Sequence, residues 1–301
     1  LFRSGGRPRG PDREADPAVE RDHRARLAER SGEGFVGKGQ LAAVTVPLKG
    51  DGYAAAVQLG AVGVNWRAQK TIRASFNMAP SSVDLTLDAR NIPISVGDVA
   101  GEIDLSSGWK LTGAFKDASA EMDEGHVADL QGAFDLAGSG GALSGSLSGI
   151  TMRLFDPLKD EGRRYEDVNF RGEGHLKDRL VDFTGTFTMA KSGMQVAHVI
   201  GRHNLANNEG GLTFEPTPLI FKPRQFQPGD LSPLLVGPAN VTGRLDISGS
   251  AAWSSGDFKA SGVLDMKKLG FALAAAGVFE GVSGRIEVAD LLNMKSAPGQ
   301  K

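Results

Sequence analysis

A short unit recurs along this chain: an apolar residue, a small or polar one, a glycine, any residue, and then apolar residues at alternate positions. It stands in ANVTGRLDISG, DFKASGVLDMKK and EGVSGRIEVADLLNM, and upstream at Leu111 to Phe115, Leu130 to Phe134, Leu143 to Leu147 and Phe183 to Phe187. Successive side chains of a strand point to opposite faces. Val241, Gly243, Leu245 and Ile247 therefore share one face, and Thr242, Arg244 and Asp246 share the other. Such a chain must build β-sheet with one apolar side and one polar side.

The 41 Gly and 14 Pro follow no triplet repeat, which excludes collagen and favours many tight turns between strands. The 34 basic and 36 acidic residues are spread throughout, so no global field points to nucleic acid or to a membrane surface. With no cysteine there is no disulfide framework and none of the usual structural zinc sites. No stretch approaches the ~18 apolar residues of a membrane-spanning helix. The chain opens at Leu1 with no leader pattern, and its true N-terminus is expected to lie elsewhere.

Residues 1–33 are charged, proline-bearing and almost free of large apolar side chains, and so form a polar linker. Asp16 and Pro17 suit an N-cap and first helical residue, which predicts a short helix from Pro17 to Arg30. From Phe35 onward about fifteen strands are expected, and the sheet runs through residues 34–301. Pro216 and Pro218 each remove a backbone donor, which predicts an edge, a bulge or a break there. The expectation is an interruption near 216–238 holding a short helix capped by Asp230. Side by side at ~4.8 Å, fifteen strands would make a sheet about 70 Å long. A flat sheet of that size is unusual, so it should curl at its mid-strand glycines. The predicted fold class is all-β: a long, curled, antiparallel-type sheet with short helical excursions.

Few motifs suggest chemistry. Gly32 to Lys38 satisfies a G-x-G-x-x-G pattern, but the phosphate-binding version needs a strand before and a helix after it, and here a strand follows. Asp123, Glu124, His126 and Asp129 lack the spacing of a calcium loop and fit a solvated hairpin tip around Gly125. His23, His175, His198 and His203 pair with no recognisable serine or cysteine nucleophile, and no metal or cofactor is implied. An enzyme of the parallel β-helix type would need a more regular period than the 13, 19 and 22 residues separating Gly132 from Gly145, Gly113 from Gly132, and Gly262 from Gly284. The chain is therefore read as a non-enzyme, with a structural or adhesive β-solenoid that binds protein partners as the first alternative and a β-helix enzyme acting on polysaccharide as the second.

The predicted apolar face carries Val83, Leu85, Leu87, Leu111, Phe115, Leu130, Phe134, Leu136, Leu143, Leu147, Phe183, Phe187 and Met189. In the last sixty residues it carries Val241, Leu245, Ile247, Phe258, Leu264, Met266, Val282, Ile286 and Val288. A sandwich or barrel core is the ordinary use of such a face. Yet it is rich in Gly, Ala, Leu and Met, and it repeats past the size of one sandwich. A curved sheet with an unfilled apolar concavity fits both facts and calls for an apolar ligand.

The segments Leu231 to Leu235, Ala239 to Trp253, Gly262 to Asp265 and Gly277 to Gly284, with the closing D-L-L-x-x-x-x-A-P-G-Q at Asp290 to Gln300, resemble the YdbH family of Gram-negative envelope proteins. That resemblance implies an AsmA-like protein related in plan to TamB and YhdP, with a β-taco sheet crossing the periplasm from an inner-membrane anchor that this chain lacks. It also implies phospholipid movement between inner and outer membranes along a hydrophobic groove, with an outer-membrane lipoprotein of the YnbE type as partner.

Overall fold

The computed structural model describes residues 26–31, 34–50, 53–87, 90–122, 125–158, 162–254, 257–290, 295–296 and 298–299. Nine short strands come first: β1 (Arg26–Ser31), β2 (Gly34–Leu41), β3 (Val44–Gly50), β4 (Tyr53–Leu59), β5 (Val62–Ala68), β6 (Ile72–Met78), β7 (Ser81–Leu87), β8 (Arg90–Val96) and β9 (Val99–Asp104). Longer ones follow: β10 (Trp109–Met122), β11 (Gly125–Ser139), β12 (Ala142–Phe155), β13 (Val168–Lys177), β14 (Leu180–Met189), β15 (Gln195–Asn204) and β16 (Glu209–Phe221). The last are β17 (Ala239–Ser254), β18 (Asp257–Leu273), β19 (Gly277–Asp290) and the two-residue β20 (Lys295–Ser296). All twenty belong to one open sheet in which every pairing is antiparallel.

From β10 to β20 the sheet is a plain meander, while on the other side of β10 it divides. Lys110 to Phe115 pairs with β9, and Ser119 and Ala120 pair with β8. Two ladders fan out, β9–β6–β5–β2–β1 and β8–β7–β4–β3. The chain steps between them at Ala42-Ala43, Gly60-Ala61, Ala79-Pro80 and Gly97-Asp98. The short strands are thus long strands cut in two along a crease, tied across by Ala79 N–H to Ala61 O (2.9 Å) and Gly97 N–H to Lys116 O (3.1 Å). The crease continues through β10 to β12 as irregularities at Asp117, Asp129 and Gly149, all at positive φ. A second set at Gly243, Lys268 and Gly281 crosses β17 to β19. Bulges of this kind bend a strand and increase its twist, and their alignment curls the sheet.

Residues directly opposite in an antiparallel ladder share a face, so the registers assign both sides. One row runs Val64, Phe76, Gly101, Gly113, Phe134, Leu147, Gly174, Phe183, Gly201, Leu212, Ala251, Ala260, without a polar side chain. The row beside it runs Lys38, Asn65, Ser75, Glu102, Thr112, Asp135, Ser146, His175, Asp182, Arg202. The glycines of the apolar row make room for rings: a Cβ at Gly113 would lie 2.6 Å from the Phe134 ring. At Gly185 it would overlap the Phe170 ring, which also packs on Phe187 at 4.9 Å. Gly185→Val should therefore cost about 1–3 kcal/mol through overpacking, measured as a fall in unfolding midpoint.

Two expectations are corrected and a third is located. Arg26 to Arg30, placed in a helix from the sequence, belongs to β1, which pairs with β2 from Arg26↔Lys38 to Ser31↔Gly34; ladder hydrogen bonds override a weak local helix signal. The first part of that predicted helix lies outside the described residues. At Pro216 and Pro218 the bulge among the expected outcomes is the one seen: β16 runs through both with a register slip against β17 between Phe214 and Thr217, and no strand covers 222–238. Pairing with β15 ends at Glu215, so on that side the missing donors have no ladder to feed. Finally, the short helix is two 3-10 turns, Pro228–Asp230 and Pro233–Leu235, with Gln227 and Ser232 at their N-cap positions and the Ser232 side chain capping the second. Asp230 accepts a hydrogen bond from Gln227 N–H (2.9 Å) and is not itself the N-cap.

Candidate functional site

The apolar face is the one extended feature on which the elements converge. The registers bring all the predicted residues to it: Val83, Leu85 and Leu87 on β7; Leu111 and Phe115 on β10; Leu130, Phe134 and Leu136 on β11; Leu143 and Leu147 on β12. Phe183, Phe187 and Met189 on β14, Val241, Leu245 and Ile247 on β17, Phe258, Leu264 and Met266 on β18, and Val282, Ile286 and Val288 on β19 join them. Sequence reasoning missed others on the same face, among them Val64, Phe76, Phe170, Val199, Leu219 and Phe221. Phe170 and Phe76 carried the same period-2 signal, whereas Leu219 and Phe221 were masked by the two prolines.

Among the described residues the closest approaches between strands are those of hydrogen-bonded neighbours. Most of its side chains are half-buried, and Leu147 (40% exposed), Phe258 (49%) and Ile286 (38%) remain open. A sandwich core would enclose them.

One stretch is covered. Residues 162–167 and the connections 190–194 and 222–238 all lie on the same side of the sheet and meet over the ends of β14 to β19. Beneath them Leu219 (1% exposed), Phe221, Val241 and Leu269 form the buried cluster, with Phe226, Leu231 and Met194 packed on it. Phe226 stacks on Phe221 with centroids 5.3 Å apart and planes 7° from parallel. The Gln227 amide donates to Val241 O (2.9 Å) and accepts from Val241 N–H (2.8 Å), standing in for the strand partner that β16 no longer supplies. Ser232 Oγ donates to Arg164 O, and Glu166 N–H donates to Leu231 O (2.9 Å), so the covering loops brace each other.

Asp156 anchors that brace. Its enclosed carboxylate accepts from Arg164 N–H (2.6 Å), Arg164 Nε (2.9 Å), Arg164 Nη2 (2.9 Å) and Leu158 N–H (3.0 Å). The Arg164 side chain holds the carboxyl far below its ordinary value of 3.8, against the opposing effect of burial. A depressed carboxyl contributes stability that is fully present above its unfolded pKa and is lost as pH falls through the folded one. Between pH ~5 and 8 the brace should therefore not titrate. Asp156→Asn should weaken it at every pH in that range, seen as faster amide exchange in residues 162–167.

The polar face carries exposed cross-strand ion pairs such as Lys110–Asp135 (2.9 Å) and Arg73–Asp104 (2.8 Å), each worth about 0–1 kcal/mol. Asp246 is the more enclosed case: Arg244 and then Lys267 hold its carboxyl below the usual range. His198 meets Glu215 (2.7 Å) and Thr184 Oγ1 (3.2 Å), but that hydroxyl lies equally close to Val199 O, and the trio sits on the polar face. Among the described residues no three His, Asp or Glu converge as metal ligands. Asp129 pairs instead with Arg153 (3.3 Å), and Asp123 and Glu124 lie outside the described residues. Gly34 and Gly37 lie within β2, and a strand follows it. No helix among the described residues is long and apolar enough to cross a membrane.

The fold is thus one large open antiparallel sheet with an extended, partly exposed apolar face, and exposed apolar patches of that size mark interaction or ligand-binding surfaces. The chain belongs to the YdbH-like family, described as intermembrane phospholipid transport protein YdbH, whose model matches residues 37–301. Neither a curated protein nor a solved structure matches the chain. Membership gives the chain a role in phospholipid transport.

Proposed function

We propose that residues 34–301 are a segment of a lipid conduit in which acyl chains lie along the apolar face and phospholipids travel between the inner and outer membranes. The row from Val64 to Ala260, crossing twelve strands without a polar side chain, is the observation that carries this reading. Each methylene removed from water contributes ~0.8 kcal/mol, so two acyl chains are held by many weak, non-directional contacts. Contacts without direction give no fixed stopping point, which suits sliding. The protein then works in the periplasm, tethered to the inner membrane by a segment outside this chain, with a YnbE-type lipoprotein at the outer membrane.

Native mass spectrometry of the purified chain should show bound phospholipid, and lipid-stripped protein should take up fluorescent phospholipid from vesicles. Clean protein that takes up none would favour a structural sheet whose polar face binds other proteins.

A further inference from the structure

The two long sides of the apolar face differ. On one, strands join through short connections at 69–71, 105–108, 140–141, 178–179 and 205–208, none long enough to fold back over the sheet. On the other lie the braced loops, of which 222–238 is a strap seated on the face itself. Leu219 is sealed under it, whereas Phe258 and Ile286 on the same face stand open. The three tryptophans also mark the turn side. Trp66, Trp109 and Trp253 each lie opposite a glycine, Gly37, Gly138 and Gly210, with the indole over it. Indoles favour boundaries between apolar and polar surroundings, which is what an open lip with head groups above it would offer.

We propose, building on the conduit reading, that the strap is a fixed constriction: it occupies the loop-side half of the groove from β16 to β19 and confines lipid to the turn side. The constriction lies where the strap already makes the contacts an acyl chain would make. Stacking of Phe226 on Phe221 and the two Gln227 bonds to Val241 must break before lipid can reach Leu219. On the turn side of β16 and β17, Leu212 is half-buried and pairs with the buried Ala251 on the same face, and neither belongs to the cluster on which the strap packs. Acyl chains therefore pass Leu212 and skirt Leu219, and their head groups leave by the tryptophan lip.

The cysteine-free chain allows a direct test with single substitutions of modest size. Leu212→Cys and Leu219→Cys proteins would be mixed with phosphatidylethanolamine–phosphatidylglycerol vesicles carrying a phospholipid with a maleimide on its acyl chain. Leu212→Cys should label at least about tenfold faster than Leu219→Cys. Adding Phe226→Ala, or separately Gln227→Ala, should speed labelling at Leu219→Cys and leave Leu212→Cys unchanged. Equal labelling at the two sites with the strap intact overturns the constriction alone. Labelling at neither site overturns the conduit reading, and the constriction falls with it.

Discussion

Leu264→Asp should abolish lipid capture while the protein still folds. Leu264 is half-buried on β18, directly opposite Ile247 on one side and Ile286 on the other, and Ile286 is 38% exposed. With lipid in place an aspartate there would be an unpaired carboxylate among acyl chains, which costs several kcal/mol or forces the group to stay protonated. Without lipid the same carboxylate reaches water past Ile286, so the loss of folding stability should stay within about 1–3 kcal/mol. In a closed core both penalties would fall on folding. The neighbouring change, Asp265→Leu, acts on the polar face, where Asp265 stands opposite Asp246 and Arg285 and lies 3.5 Å from Lys267. Lys267 keeps Asp246, so this change should cost less than ~1 kcal/mol and leave lipid binding intact. Lipid retained per protein, by native mass spectrometry, and the unfolding midpoint, by circular dichroism, separate the two effects. A folded Leu264→Asp protein carrying its normal load of lipid would show that acyl chains do not lie on this face.

The face itself was legible because it rests on a local rule: period-2 alternation survives any long-range arrangement that keeps a strand a strand. Glycine positions were legible as points of curvature, but their fuller cause was not. The ring that needs Gly185 belongs to Phe170, and the ring that needs Gly113 belongs to Phe134, each on a neighbouring strand. Pairings of that kind appear only once the register is fixed. The division of the sheet at β10 is equally non-local. Its crossing points include Ala42-Ala43, an unremarkable dipeptide, and nothing in it announces that β2 will pair with β5 while β3 pairs with β4. Pro216 and Pro218 announced an irregularity, and β16 has one beside them, but that the strand continues past both depends on where β15 ends. The strap was visible as an irregular segment; its seat on Leu219 and Phe221 was not.

Leu219→Ala should be far more damaging than the same truncation elsewhere on the face. Leu219 is 1% exposed, beside Leu245 of β17 with the strap packed on its cluster; Phe221 and Leu269 are held in strand ladders and Val241 by the Gln227 amide, which limits collapse into the space left behind. Lost transfer energy and an unfilled cavity together should cost about 2–5 kcal/mol. Ile286→Ala removes a side chain that water already reaches, leaves no cavity, and should cost about 1 kcal/mol or less. A long sheet whose strands touch only their neighbours need not unfold as one unit, so a global midpoint would blur the contrast. Amide exchange resolves it: protection at Phe221 and Val241 should drop in Leu219→Ala, while protection in β10 to β12 stays as it was. Equal losses from the two truncations would mean that Ile286 is as enclosed as Leu219, and the apolar face would then be a packed core rather than a groove.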